Sequence, residues 1–168
     1  MPWSDPISGG AEDADNATEL VIEANVDDLD PRLWPTVMAA VLEAGAADAW
    51  LAPILMKKGR PAHTLHVLAT PERARALREV IFTHTTTIGV RSTVVAKTAL
   101  SRTWVGVELL GGTVPVKVAH RAGVIVSATP EFEDVAALAA ATGQPVRAVL
   151  ARASAAAAQA GLESGAAI

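Results

Sequence analysis

The chain has 168 residues with 14 basic and 18 acidic side chains, a formal net charge of −4, and no cysteine. That length makes one ordinary domain or two small ones with core enough to fold unaided, and the missing cysteines exclude disulfide scaffolds, cysteine zinc sites, iron–sulfur clusters and thiol nucleophiles. A reducing cytoplasm is the expected compartment. No apolar run approaches the ~20 residues of a membrane span, and an acidic chain with four Trp, two Phe and no Tyr is a poor general nucleic-acid binder.

Residues 1–17 are rich in Pro, Gly, Ser and Asp and read as a flexible lead-in, with neither the basic nor the apolar stretch of a signal peptide. Order is expected from Thr18. Residues 19–26 alternate as a strand, Asp30-Pro31 then supplies an N-cap and a first-turn proline, and Leu33, Trp34, Val37, Met38, Val41 and Leu42 recur at helical spacing up to Gly45. Residues 48–56 and 64–69 read as a strand hairpin. Thr70-Pro71-Glu72 opens a second helix whose apolar stripe, Leu77, Val80 and Ile81, runs to His84, and residues 88–97 form a β-branched fourth strand.

The order βαββαβ predicts an α+β chain with a ferredoxin-like domain over 18–98: one antiparallel sheet with two helices on one face. Strands one and four are expected to adjoin different central strands, so that the loops at their ends are not bound to share a pocket and a second subunit can be needed. A smaller α+β domain follows over 99–160. Its expected strands, 103–110 and 113–119, flank a Gly111-Gly112 hairpin, with a short strand over 123–127. Thr129-Pro130-Glu131 opens a helix ended by Gly143, and Pro145 starts another through Val146, Val149 and Leu150. Residues 153–160 have high helix propensity but a featureless surface, so this helix frays unless it docks, and 161–168 is a tail. Open sheet edges and the alanine-rich tail predict a homo-oligomer.

Three polar clusters break the periodic pattern, each with two readings. Asn25, Asp27 and Asp28 end the first strand: turn and first-turn acids on one view, oxygen donors for Mg²⁺ or Mn²⁺ beside a phosphate on the other. Lys57, Lys58 and Arg60 surround Gly59 and precede Pro61, which suits a solvated basic loop or a polyphosphate clamp. Thr85, Thr86 and Thr87 lead to Ile88-Gly89-Val90-Arg91, either a plain strand entry or a loop of hydroxyls and N–H groups in which Gly89 permits an unusual dihedral. His63 and His66, three apart in a strand, face opposite sides and cannot easily share one ion. No catalytic triad order, P-loop or dinucleotide fingerprint is present.

Taken in order, Glu23-Ala24-Asn25-Val26-Asp27-Asp28-Leu29, Met56-Lys57-Lys58-Gly59-Arg60-Pro61, Thr85-Thr86-Thr87-Ile88-Gly89-Val90-Arg91 and Pro130-Glu131-Phe132-Glu133-Asp134 resemble the C-terminal region of the LarC family, nickel insertion proteins of nickel-pincer cofactor biosynthesis. The resemblance covers residues from about 19 to 150. It implies a CTP-dependent, lyase-type cyclometallase that inserts nickel into pyridinium-3,5-bisthiocarboxylic acid mononucleotide, with CTP consumed to CMP and pyrophosphate, and a C-terminal region that binds CTP with Mn²⁺ or Mg²⁺. Carried over, Lys57, Lys58 and Arg60 would hold phosphates, Arg91 and the Thr85 to Thr87 loop would line the nucleotide site, and Asn25, Asp27, Asp28 and Glu131 would contact metal or substrate. The chain departs from the family in starting almost directly at that region, as a separate subunit that needs a nickel-carrying N-terminal partner or a stand-alone relative would, and in placing His84 where an acidic residue is expected. The rival reading is a ferredoxin-like ligand-binding or oligomerisation module without chemistry.

Overall fold

A computed structural model describes residues 14–168. The chain forms two compact units, one spanning Asn16–Lys97 and the other built on Thr98–Ile168. The strands are β1 (Ala14–Val26), β2 (Asp48–Met56), β3 (Arg60–Ala69), β4 (Arg91–Leu109), β5 (Gly112–Arg121) and β6 (Val124–Pro130). The helices are α1 (Trp34–Glu43), α2 (Ala74–His84), α3 (Phe132–Thr142) and α4 (Val146–Gln159). The strand order is β2-β3-β1-β4-β5-β6, and β4 serves both units. Among the described residues no helix is long and apolar enough to cross a membrane.

Strand β1 begins at Ala14, earlier than the expected Thr18; the rest of the expected lead-in lies outside the described residues. Ile22, Ala24 and Val26 of β1 and Leu65, Val67 and Ala69 of β3 occupy alternate positions and are buried with Val37, Val41, Leu77 and Ile81 of the two helices. A period of two on the strands and of three to four on the helices thus closes one core. Each fully buried Leu, Ile or Val in it contributes about 1.5–3 kcal/mol. Asp30 caps the entry to the first helical segment by accepting from the Arg32 backbone N–H at 3.0 Å, and a short 3-10 turn at Pro31–Leu33 precedes α1.

The order β2-β3-β1-β4 corrects one expectation. Strands one and four are direct neighbours, with β1 central between β3 and β4. This follows from the two β-α-β crossovers of the motif, each of which leaves room for one antiparallel strand, so that β3 falls between β1 and β2 and β1 between β3 and β4.

In the second unit Val114, Val116 and Val118 turn one face of β5 into a core with Val107, Ile125, Val135, Ala139 and Val149. The strands expected over 88–97 and 103–110 are one continuous strand, β4, of 19 residues, because no Gly or Pro between Arg91 and Gly106 interrupts the extended pattern. Its hairpin to β5 turns at Leu110 and Gly111, with φ of 54° and 78°, one residue earlier than the glycine pair suggests. Alanines 153 and 157 are buried, so α4 docks along its length. The tail pairs with β6 through Val124 and Ala167, and the backbone N–H of Ile125 donates to Ala166 at 2.8 Å.

Candidate functional site

Because β1 runs antiparallel to both β3 and β4, its carboxyl end adjoins the starts of those two strands, and the three polar clusters meet there within one chain. Val26 pairs with His63 and Asn25 with Thr64. Arg60, at the start of β3, donates from Nη1 to Asp27 Oδ2 at 3.0 Å. Arg91, the first residue of β4, donates to Glu23 Oε2 at 3.2 Å and to Asn25 Oδ1 at 3.1 Å. Thr86 donates its hydroxyl to Asp28 Oδ1. Each cluster is therefore tied to β1 by at least one side-chain bond.

The basic loop between β2 and β3 is tight. Met56 pairs with Arg60, leaving three residues to turn the chain, and Lys58 and Gly59 both hold a left-handed backbone, with φ of 63° and 68°. For lysine that conformation costs about 1–2 kcal/mol, a strain met where the surrounding structure fixes a functional loop. Lys57 and Lys58 are exposed and have no ion-pair partner among the described residues. They are cations available to an anion from outside.

The threonine loop divides its labour. Thr85 donates to the Ile81 carbonyl at 2.8 Å and so closes the end of α2, while Thr87 donates to the Gly89 carbonyl at 2.9 Å. Only Thr86 reaches the acidic end of β1. Gly89 does not adopt a positive φ, so the freedom that a glycine permits there is not used for a left-handed turn; the Thr87 hydroxyl bonds the Gly89 backbone. His84 stands exposed as the last residue of α2.

Glu131 stands in the second unit. It precedes α3 and accepts from Trp104 Nε1 at 2.9 Å and from Lys117 Nζ at 3.0 Å. The Trp104 N–H, and then the Lys117 ammonium, hold its carboxyl below the ordinary glutamate range.

Four further residues of the first unit belong to this constellation. Glu23 faces Arg91 on one side and His66 on the other, with His66 Nδ1 at 3.1 Å from Glu23 Oε1. Trp50 stacks on His66, ring centroids 5.0 Å apart and planes at 3°. Thr64 donates to Asn25 Oδ1 at 2.8 Å. His63, by contrast, meets Trp34 edge-on at 5.7 Å, on the side of the sheet that α1 covers. The strand period does place Glu23 with Asn25, and Thr64 with His66, on common faces; the cross-strand pairing that unites the two faces is a tertiary fact.

The arrangement offers hard oxygen donors, Asp27 and Asp28, beside two unpaired lysines and two arginines on one strand end, while the Asn25 oxygen is taken up by Thr64 and Arg91. Oxygen donors of this kind suit Mg²⁺ or Mn²⁺, and the cations suit phosphate oxygens, including bidentate contact by guanidinium.

A family model described as "Nickel insertion protein" matches residues 7–150. The pyridinium-3,5-bisthiocarboxylic acid mononucleotide nickel insertion protein of Nocardioides sp. is 55% identical over 134 residues, 80% of this chain and 34% of the relative. A curated relative from Myxococcus xanthus is 43% identical over 148 residues, 88% of this chain and 38% of the relative. The chain thus spans a little over a third of the length of these curated relatives. Among solved structures, LarC2, the C-terminal domain of a cyclometallase involved in the synthesis of the NPN cofactor of lactate racemase, is 38% identical with a TM-score of 0.77, covering 86% of this chain and 100% of that one. A protein from Methanopyrus kandleri is 25% identical with a TM-score of 0.60, covering 88% of this chain and 91% of that one.

Proposed function

We propose, from the premise that this chain belongs to the nickel insertion protein family, that it is the metal–CTP-binding portion of a CTP-dependent, lyase-type cyclometallase. The substrate is pyridinium-3,5-bisthiocarboxylic acid mononucleotide, nickel is the inserted metal, and the product is the nickel-pincer nucleotide. A cytoplasmic homo-oligomer working with a nickel-carrying N-terminal polypeptide completes the reading.

The observation that carries it is the meeting of the acidic, basic and threonine clusters at the carboxyl end of β1. The donor set fits CTP with Mn²⁺ or Mg²⁺: carboxylates of Asp27 and Asp28 for the ion, and Lys57, Lys58, Arg60 and Arg91 for a triphosphate. Bound there, CTP supplies a pyrophosphate leaving group. The chain's own part is positional. Asp27 holds the Arg60 guanidinium at the site, Glu23 and Asn25 hold Arg91, and Asp28 with Thr86 anchors the loop before β4. Glu131, within the second unit, is a separate candidate for substrate or metal contact.

Calorimetric titration with CTP in the presence of Mn²⁺ tests the binding step, and saturable one-to-one binding is expected. With substrate, nickel and the N-terminal polypeptide added, CMP and pyrophosphate should appear together with the nickel product. Binding without CMP release under those conditions would favour a ligand-binding module, and no CTP binding would remove the reading.

A further inference from the structure

The row of side chains Trp50, His66, Glu23 and Arg91 lies across four strands, β2, β3, β1 and β4, with Trp50 and Glu23 both directly paired with His66. The imidazole is fixed on two sides. Its Nδ1 stands 3.1 Å from a carboxylate oxygen, and one ring face lies flat against the Trp50 indole. Glu23 is itself held from its far side by Arg91, so the brace extends into the candidate site.

What remains of the ring is Nε2. It has no partner among the described residues, and the one sealed side-chain polar atom without a partner there is Glu19 Oε2. The free nitrogen therefore opens to solvent, on a side chain only 18% exposed. A carboxylate against Nδ1 favours the tautomer with its proton on that nitrogen and the lone pair on Nε2, the outer-shell arrangement that accompanies metal-ligating histidines. Imidazole nitrogen is a suitable donor for nickel. His63, His84 and His120 have no such carboxylate partner among the described residues.

We infer that His66 presents Nε2 as a single ligand to nickel in transit to the substrate, an inference that rests on the nickel-insertion reading. One ligand suits a hand-off. No group of three or more His, Asp or Glu residues able to hold an ion occurs among the described residues, so nothing competes with an incoming molecule for the remaining coordination positions. A substrate carrying two thiocarboxylate groups brings sulfur donors to fill them. A closed cage of protein ligands would instead retain the ion.

The test uses the full chain labelled with ¹⁵N-histidine and titrated with NiCl₂, since paramagnetic nickel broadens the ring signals nearest to it. His66 should broaden at lower nickel concentration than His63, His84 and His120. The variant His66→Gln should lose the tightest nickel-binding step, and Glu23→Gln should weaken it about 10- to 100-fold. Earlier broadening at His84 or His120, or an unchanged nickel isotherm for His66→Gln, would overturn the inference. The broadening order in the unsubstituted chain needs no variant to fold. A parallel Mn²⁺–CTP titration separates the two readings: nickel at His66 without CTP binding would fail the nucleotide site alone, and CTP binding without nickel at His66 would fail this one alone.

Discussion

At the scale of single residues, the Arg60–Asp27 pair divides stability from binding. The Arg60 side chain is 58% exposed, and a pair so open to water contributes little to folding. Arg60→Ala should therefore shift unfolding free energy by no more than about 0.5 kcal/mol. Loss of charge-assisted contacts to phosphate should cost roughly 1.5–3 kcal/mol in CTP binding, about 10- to 150-fold in affinity. Arg60→Lys should recover part of it, because an ammonium lacks the bidentate fork. Calorimetry of the three proteins with Mn²⁺ and CTP at fixed salt decides the matter, and equal affinities would return the loop to plain solvated surface. The same residues show how much of the site could be read from sequence. Asn25, Asp27, Asp28, Lys57, Lys58, Arg60 and Arg91 stand out because they interrupt or bound the hydrophobic periods. Glu23, Thr64 and His66 do not, since polar residues at alternate strand positions are what any half-exposed antiparallel strand carries. Trp50 is equally inconspicuous within an apolar run. Only the pairing of β3 with both β1 and β2 gives these four a common purpose.

At the scale of elements, most starts and stops were legible because local chemistry marks them. Asp30 at a helix entry, Gly143 with φ of 64° after α3 and the Lys57–Gly59 turn each carry a backbone requirement that few residues meet. The length of β4 was not legible, because a strand's continuity across two units depends on the partners on either side rather than on its own residues. The fate of α4 was also undetermined by its run of alanines, which has propensity without a pattern of large side chains. Packing settles it through small residues: Ala153 is fully buried, and the Val149 and Ala157 positions lie on the same face four residues to either side. Ala153→Leu should thus overpack this contact and destabilise by about 1–3 kcal/mol. Ala155→Leu, at an exposed position, should change stability by no more than about 0.5 kcal/mol. Urea unfolding monitored by far-UV circular dichroism measures both, and equal midpoints for the two variants would mean that α4 does not dock as described.

At the scale of the whole molecule, an acid response is expected from three carboxylates among the described residues, Asp30, Glu72 and Glu131, whose protons are bound less readily in the folded chain than outside it. Asp30 is held below its ordinary 3.8 by the Arg32 guanidinium and then by the Arg32 backbone N–H. Glu72 lies below its ordinary 4.5 through its own backbone N–H and the Thr70 hydroxyl. Glu131 is lowered by Trp104 first and Lys117 second. For each group the folded state takes up its proton at lower pH than the unfolded state, so the unfolded chain binds more protons in between. The stabilising contribution is complete above the ordinary carboxylate values and is lost as pH falls through the lowered folded ones. Thermal unfolding midpoints should accordingly decline as pH is taken from about 5 to about 3. The decline should be shallower in a variant carrying Asp30→Asn, Glu72→Gln and Glu131→Gln, which has no proton to take up at these positions. The Trp104 indole N–H resonance gives a local check at Glu131: its titration midpoint should fall below 4.5. A midpoint at or above that value would contradict the bond from Trp104. An acid decline equally steep in the triple variant would show that other carboxylates govern the acid limit of this fold.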